Sequence, residues 1–308
     1  MHPALTIRLA TQGGVVTTAD AVSCGVQRRD LTRLVRSGAL VRVRAGAYVE
    51  GIKWQAATET ERHGLTAVAV ARSFGGRWAV SHCSAVAVHT LPLLARSTEV
   101  HLSRLSPGRA RSRAGMRAHM AVDPGLTLDV TGVPVVNPSA AVLQAAGAHG
   151  VEVGVVAADA AIRRRLATAT SLRSTVGLLS LGAGARWAGL AVELADGRSE
   201  SPGESRTRVI LHLGGLPGAE PQVNIYDGAR LVGRVDLLFR RERVIVEFDG
   251  RLKYSGEDGG AVLYAEKRRE DYLRSLGYEV VRLSWADLAD PARVIGMVRA
   301  AMARTAAR

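Results

Sequence analysis

Two apolar runs, LVGRVDLLF and RVIVEFDG, flank the polar triplet RRE in the last third of the chain. A short polar turn between two β-prone runs leaves few options besides an antiparallel hairpin. With the turn centred on Arg241–Glu242, Leu238 falls opposite Ile245 and Asp236 opposite Glu247. Directly opposed side chains have Cβ atoms about 4.5–5.5 Å apart, where two like charges repel unless compensated. Glu247 and Asp249 are two residues apart and share one face of their strand. Three carboxylates thus converge beside the apolar run VIV. Such oxygen-rich, charged clusters suit Mg2+ or Mn2+. The alternative is an acidic edge neutralised by Arg234, Arg251 and Arg282.

The elements around this hairpin complete an α/β sandwich pattern. A helix begins after Ser201–Pro202 and stops at Gly214–Gly215; a long helix over Ala261–Leu276, the strand YEVVRLSW and a helix from Pro291 follow. Ser201 to Glu204 reads as a capping box with proline at the first helical position. Glu204 therefore closes the helix start, joins the carboxylates, or does both. In the long helix Val262, Ala265, Tyr272, Leu273 and Leu276 form an apolar stripe that includes Arg269. An arginine on a buried face needs an anionic partner, which the acidic patch would supply unless the side chain snorkels to solvent. Trp285 is expected to anchor the last strand against the final helix.

The cations are unevenly chosen. Only Lys53, Lys253 and Lys267 stand beside 38 arginines, and two of the three follow Glu247 within twenty residues. That placement points to a need for a compact ammonium. A lysine beside a metal can position or deprotonate an attacking water. Chance clustering of three residues is the competing account.

At the other end of the chain, residues 1–52 read as three short helices and a hairpin. His2–Thr11 forms the first, Ala19–Ser23 capped by Thr18 the second, and Gln27–Ser37 the third, with Gly25 as the tight turn and Gly38 as the stop. Leu31, Leu34 and Val35 make one core-facing stripe, while Arg28, Arg29, Thr32, Arg33 and Arg36 lie on the opposite face. LVRVRAGAYVE then alternates around Ala45–Gly46 as a hairpin does. A basic helix after a glycine turn fits a DNA recognition helix, with the hairpin as wing and Arg42 and Arg44 near the phosphates. A solvated basic face on a small helical domain is the bland alternative.

The charge distribution agrees with a polyanionic partner. The chain has 308 residues and a net charge of +13, a surplus that attracts phosphates. Residues 1–50 carry +4 and residues 96–120 carry +5, whereas residues 199–290 carry −2. Residues 53–197 mix helices with short strands: GRWAVSHCSAVAVHTLP as a helix capped by Ser81 and ended by Pro92, STEVHLSRL and MRAHMAV as paired strands, NPSAAVLQAAG and VVAADAAIRRRL as packed helices. His82, Cys83 and His89 show no ligand spacing and are expected to pack or cap. The polar stretch ADGRSESPG marks a break near 196–200, giving domains 1–52, 53–197 and 198–308. Cys24 and Cys83 cannot build a disulfide framework or a four-ligand zinc site. No apolar run reaches the roughly 20 residues of a membrane span, and the first residues lack a signal-peptide core, so a cytoplasmic protein is expected.

The segment GGVVTTADAVSCGVQRRDLTRLVRSGALVRVRAGAYV resembles the N-terminal winged helix of the AbiEi antitoxins of type IV toxin–antitoxin systems. VPVVNPSAAVLQAAG and VVAADAAIRRRL resemble the middle domain that follows in many actinobacterial members. The resemblance implies binding to double-stranded DNA, repression of the protein's own promoter, and a cognate toxin. SESPGESR, GRVDLLF, VIVEFDGRLKY and EKRREDYLRSLGYEVVRLSW resemble the PD-(D/E)XK nuclease superfamily, in particular its very-short-patch-repair-like branch. That resemblance implies a restriction-endonuclease-like sandwich, with Asp236 and Glu247 as metal carboxylates and Glu204 as the helix carboxylate. The chain departs from the pattern two residues after Glu247, where Asp249 replaces the expected lysine; Lys253 or Lys267 would take over its role. Short-patch-repair-like relatives also lack that lysine.

The expected fold is thus an α+β multidomain chain: winged helix-turn-helix, middle α/β domain and nuclease-like sandwich. The leading expected function is Mg2+- or Mn2+-dependent hydrolysis of DNA phosphodiesters by Asp236, Glu247 and Glu204 with Asp249, Lys253 or Lys267. The alternative is a transcriptional repressor or antitoxin whose nuclease-like domain is inactive.

Overall fold

Gly25 and Gly38 bracket the arginine-bearing helix in left-handed conformations, φ +80° and +73°, which residues with a Cβ rarely adopt. The helix they delimit is α3 (Arg28–Arg36), preceded by α1 (Pro3–Thr11), β1 (Val15–Thr17) and α2 (Thr18–Ser23) and followed by β2 (Leu40–Arg44) and β3 (Ala47–Glu50). The strands form a small sheet in the order β1-β3-β2, with β3 antiparallel to both neighbours. Gly46, φ +76°, turns the wing where the sequence places it. Leu5, Leu9, Val16, Ala21, Leu31 and Leu40 are buried together, with Leu34 and Val35 packed against them. The cap of α2 is Thr17, not Thr18: its hydroxyl accepts from Asp20 N, and the Asp20 carboxylate accepts from Thr17 N at 2.8 Å. The reciprocal bonds satisfy two of the helix's orphan donors. Thr17→Ala should cost about 1 kcal/mol, read as a lower midpoint in urea with an unchanged slope.

The computed structural model describes residues 1–94, 98–250 and 259–307, apart from the side chains of 259–263 and 265. Lys253 and Arg251 lie outside the described residues. The chain divides into two units, Met1–Glu193 and Leu194–Arg308. In the first, the winged element continues into α4 (Gly51–Ala56), α5 (Glu59–Arg72), β4 (Trp78–Val80), α6 (His82–Val88), β5 (Val100–Arg104), β6 (Met116–His119), β7 (Thr127–Val130) and β8 (Val133–Val136). Then come α7 (Pro138–His149), α8 (Val151–Arg163), α9 (Ala169–Val176) and α10 (Ala185–Leu194). The sheet order is β6-β5-β4-β8-β7, and β5 runs parallel to β6. The helix expected after a Ser81 cap is present, with Ser81 as its N-cap, and the residues before the cap form a strand. Trp78 and Val80 pair with Arg104 and Leu102, since bulky and β-branched residues fit a pleated surface, and the helix starts only at His82.

The second unit holds α11 (Pro202–Leu213), β9 (Glu220–Asp227), β10 (Arg230–Phe239), β11 (Val244–Asp249), α12 (Gly259–Ser275), β12 (Glu279–Ser284) and α13 (Pro291–Ala306). The sheet order is β12-β11-β10-β9. Leu237 pairs with Val246, Leu238 with Ile245 and Phe239 with Val244, the register that the turn position implies. Alternation sends Leu237, Phe239, Val244 and Val246 into a core with Val294 and Val298 of α13. Leu238 and Ile245 join Leu273 of α12 in a second core. The sheet is therefore covered on both faces, a mixed α/β arrangement. Strand β9 was not anticipated; Pro221 near its start is tolerated because the strand is an edge. Trp285 packs edge-on against Phe248, centroids 5.1 Å apart. No helix among the described residues is long and apolar enough to cross a membrane.

Candidate functional site

On α3 the division of faces follows the sequence. Leu31 is buried, while Arg28, Arg29, Thr32, Arg33 and Arg36 are all exposed. Arg33 makes only a loose pair with Asp30, at 3.6 Å. On the wing Arg42 is exposed and Arg44 half-buried, with a register shift between them. The result is a helix presenting four guanidinium groups and one hydroxyl, held by a glycine turn before it and a hairpin after it. Such a surface can neutralise phosphates and reach base edges.

The acidic residues occupy the second unit, and they come together only in part. Glu204, in the first turn of α11, is 6% exposed. Ser201 Oγ accepts from Glu204 N, as a cap should, but the Glu204 carboxylate does not complete the expected box. Its Oε2 accepts instead from Glu200 N and from Gln222 Nε2, both at 2.8 Å. Gln222 Nε2 also lies 3.4 Å from Asp236 Oδ1, and Phe248 N donates to Asp236 Oδ2 at 2.8 Å. Burial pushes the Asp236 carboxyl up to about 6, and the charges of Glu204 and Glu247 push the same way against the Phe248 N–H. Gln222 was missed by sequence reasoning; its φ of +56° on an edge strand is the structural mark of its position.

Glu247 faces cations instead. Arg269 of α12 reaches its Oε1 at 3.0 Å and Arg282 of β12 its Oε2 at 3.7 Å. Arg282 also contacts Glu266 and Glu270. Arg234, named as a counter-charge, pairs with Glu200. Asp249 ends β11 opposite Ser284, and Lys267 is exposed on α12. As a site for Mg2+ or Mn2+ this arrangement does not fit as it stands. One oxygen of Glu204 and both of Asp236 already accept from N–H donors, and both oxygens of Glu247 face guanidinium groups. Among the described residues, the group of potential ligands whose donor atoms lie within 4.8 Å of one another is His82, His101 and His119. Sequence reasoning set His82 aside as a packing residue; the structure places it with two histidines from other elements.

A family described as transcriptional regulator, AbiEi antitoxin, matches residues 4–51. The matched residues run from α1 through β3, so this stretch is similar to the AbiEi regulator domain. Over 274 residues the chain is 28% identical to two proteins of Mycobacterium tuberculosis. These are Uncharacterized protein MT2308 of strain CDC 1551 / Oshkosh and Uncharacterized protein Rv2248 of strain H37Rv; the alignments cover 88% of this chain and 95% of each relative. The crystal structure of RV2827C protein from Mycobacterium tuberculosis superposes with a TM-score of 0.34 at 18% identity, over 66% of this chain and 78% of that one.

Proposed function

We propose that the chain is a DNA-binding transcriptional regulator of the antitoxin kind, which holds duplex DNA with α3 in the major groove and the β2–β3 wing against the backbone. One observation carries the reading: Arg28, Arg29, Thr32, Arg33 and Arg36 are exposed on one side of a helix whose other side buries Leu31, within the residues that match a regulator family. A cognate toxin is the counterpart this reading supplies. The test is binding of the full chain to a fluorescent duplex from upstream of its own gene across a salt series. The log of the binding constant should fall linearly with the log of salt, by about 0.9 for each phosphate neutralised. A scrambled duplex should bind more weakly. Absence of salt-dependent binding at low ionic strength would sink the proposal.

A second reading, divalent-metal-dependent cleavage of DNA by the C-terminal unit, is favoured by one specific observation. Asp236 is a half-buried carboxyl that burial pushes up to about 6, beside Glu204 and with Gln222 between them. Perturbed carboxyls of this sort gather at functional sites, although structural networks produce them too. This reading requires Glu247 to leave Arg269 and Arg282.

A further inference from the structure

We propose that His82, His101 and His119 form a binding site for a borderline first-row divalent cation, with Zn2+ the ion whose chemistry it fits best. The site belongs to the first unit and is distinct from the acidic residues of the second. Its three ligands come from three elements: His82 opens α6, His101 lies in β5 and His119 ends β6. Because β5 and β6 run parallel, with His101 beside Arg117 and Ser103 beside His119, the two strand histidines sit two residues apart in register on neighbouring strands. His101 Nδ1 and His119 Nε2 face each other at 3.1 Å. The His82 ring stacks on His119 with centroids 3.6 Å apart. One nitrogen from each ring lies within 4.8 Å of the other two.

Tetrahedral zinc with Zn–N bonds of 2.0–2.1 Å holds its nitrogens about 3.3 Å apart. The His101–His119 pair is within a few tenths of an ångström of that spacing. Ser81 Oγ is 3.0 Å from His82 Nδ1, so Nε2 remains as that ring's donor. A hydroxyl on the second nitrogen fixes tautomer and orientation, as the outer partners of metal-bound histidines do. His82 also holds φ at +52°, a strained conformation for a residue with a Cβ and one that collects at functional positions.

The surroundings keep the rings neutral, which is the form that binds metal. Burial holds His101 down at about 3 and His119 at about 4, and lowers His82 as well; Arg117, His149 and, for His101, His63 reinforce this. Imidazole nitrogens select zinc-like ions over Mg2+ and Mn2+, which prefer oxygen. Cys83, beside His82 in sequence, is fully buried and is not among the clustered donors. A cavity of about 260 Å³ adjoins the rings, lined by His82, His119, Ser103, Gln144 and Asp123 among others. It gives a three-ligand site room for water or a small anion in the fourth position.

The test uses the full chain without a polyhistidine tag, stripped with EDTA and then titrated with Co2+ and Zn2+. One ion per chain should bind, Co2+ should give a visible band typical of tetrahedral coordination, and Zn2+ should displace it. His119→Gln and His82→Asn should each weaken binding by roughly 100-fold or more, since even loss of an outer partner costs 10- to 100-fold. His212→Gln, which changes an exposed histidine of the other unit, should bind as wild type. Should a variant fail to fold, the ring 15N shifts of wild type decide: Zn2+ should move those of His82, His101 and His119. Absence of stoichiometric binding, unmoved ring shifts, or folded variants that bind as wild type would overturn the proposal.

Discussion

A chain carrying both Arg29→Ala and Arg33→Ala is expected to bind duplex DNA about 10- to 100-fold more weakly near 0.1 M salt. The log–log salt slope should become shallower by about 1.8. The magnitude follows from counterion release: each phosphate contact contributes about 0.9 to the slope, and two contacts extrapolated across one decade of salt give a loss in that range. The two side chains are one helical turn apart, i and i+4, and both are exposed on α3. Neither supports the fold. The one ion pair at risk, Arg33 with Asp30 at 3.6 Å, is a surface pair of small value, so melting should be almost unchanged. The pattern of loss also assigns the contacts. Equal weakening on upstream and scrambled duplexes marks phosphate binding, whereas loss confined to the upstream duplex marks an arginine reading guanine. Unchanged affinity and slope would remove α3 as the interface.

The parts of this molecule legible in its sequence are those fixed by near neighbours. Helix α3 was legible because Leu31, Leu34 and Val35 recur at helical spacing and Gly25 and Gly38 punctuate both ends. The β10–β11 register was legible because a short turn leaves one way to close the hairpin. Arg269 was legible as a cation on an apolar stripe, and it finds Glu247. What stayed hidden depends on distant pairing. The three residues of β1 become a strand only by lying beside β3, more than thirty residues on. Trp78–Val80 becomes one by pairing with β5. Gln222 belongs to an edge strand whose sequence, EPQVNIYD, carries a proline. The histidine trio left no mark because ligand spacing is visible only when ligands share an element. Positions 82, 101 and 119 meet through a helix start and two parallel strands.

Asp236→Asn is expected to raise the stability of the metal-free protein near pH 7 and to flatten its pH dependence between about pH 4 and 6. Asp236 binds its proton more tightly in the folded state, with a pKa of about 6 against an ordinary 3.8. Its stabilising contribution is therefore complete below the unfolded value and is lost as pH rises through the folded one. The full shift corresponds to about 3 kcal/mol; partial solvent exposure screens it to about 1–2 kcal/mol, several degrees in melting temperature for a unit of this size. Asparagine keeps an oxygen for Phe248 N and never ionises beside Glu204 and Glu247. The arginines decide why no penalty offsets this gain. Among the described residues, Arg234, Arg269 and Arg282 hold Glu200 and Glu247, so removing the Asp236 charge strands none of these three guanidinium groups. Stabilisation by Asp236→Asn is thus expected whether or not the unit is an enzyme, and the discriminating arm is metal. If the second unit cleaves DNA, Mn2+ should raise the wild-type melting temperature by binding the folded state alone. Plasmid nicking should then be EDTA-sensitive, and Asp236→Asn should abolish both effects. If Glu247 stays with Arg269 and Arg282, Mn2+ moves neither melt through this unit and no nicking appears. The Zn2+ response of His119→Gln keeps the histidine site from being mistaken for it.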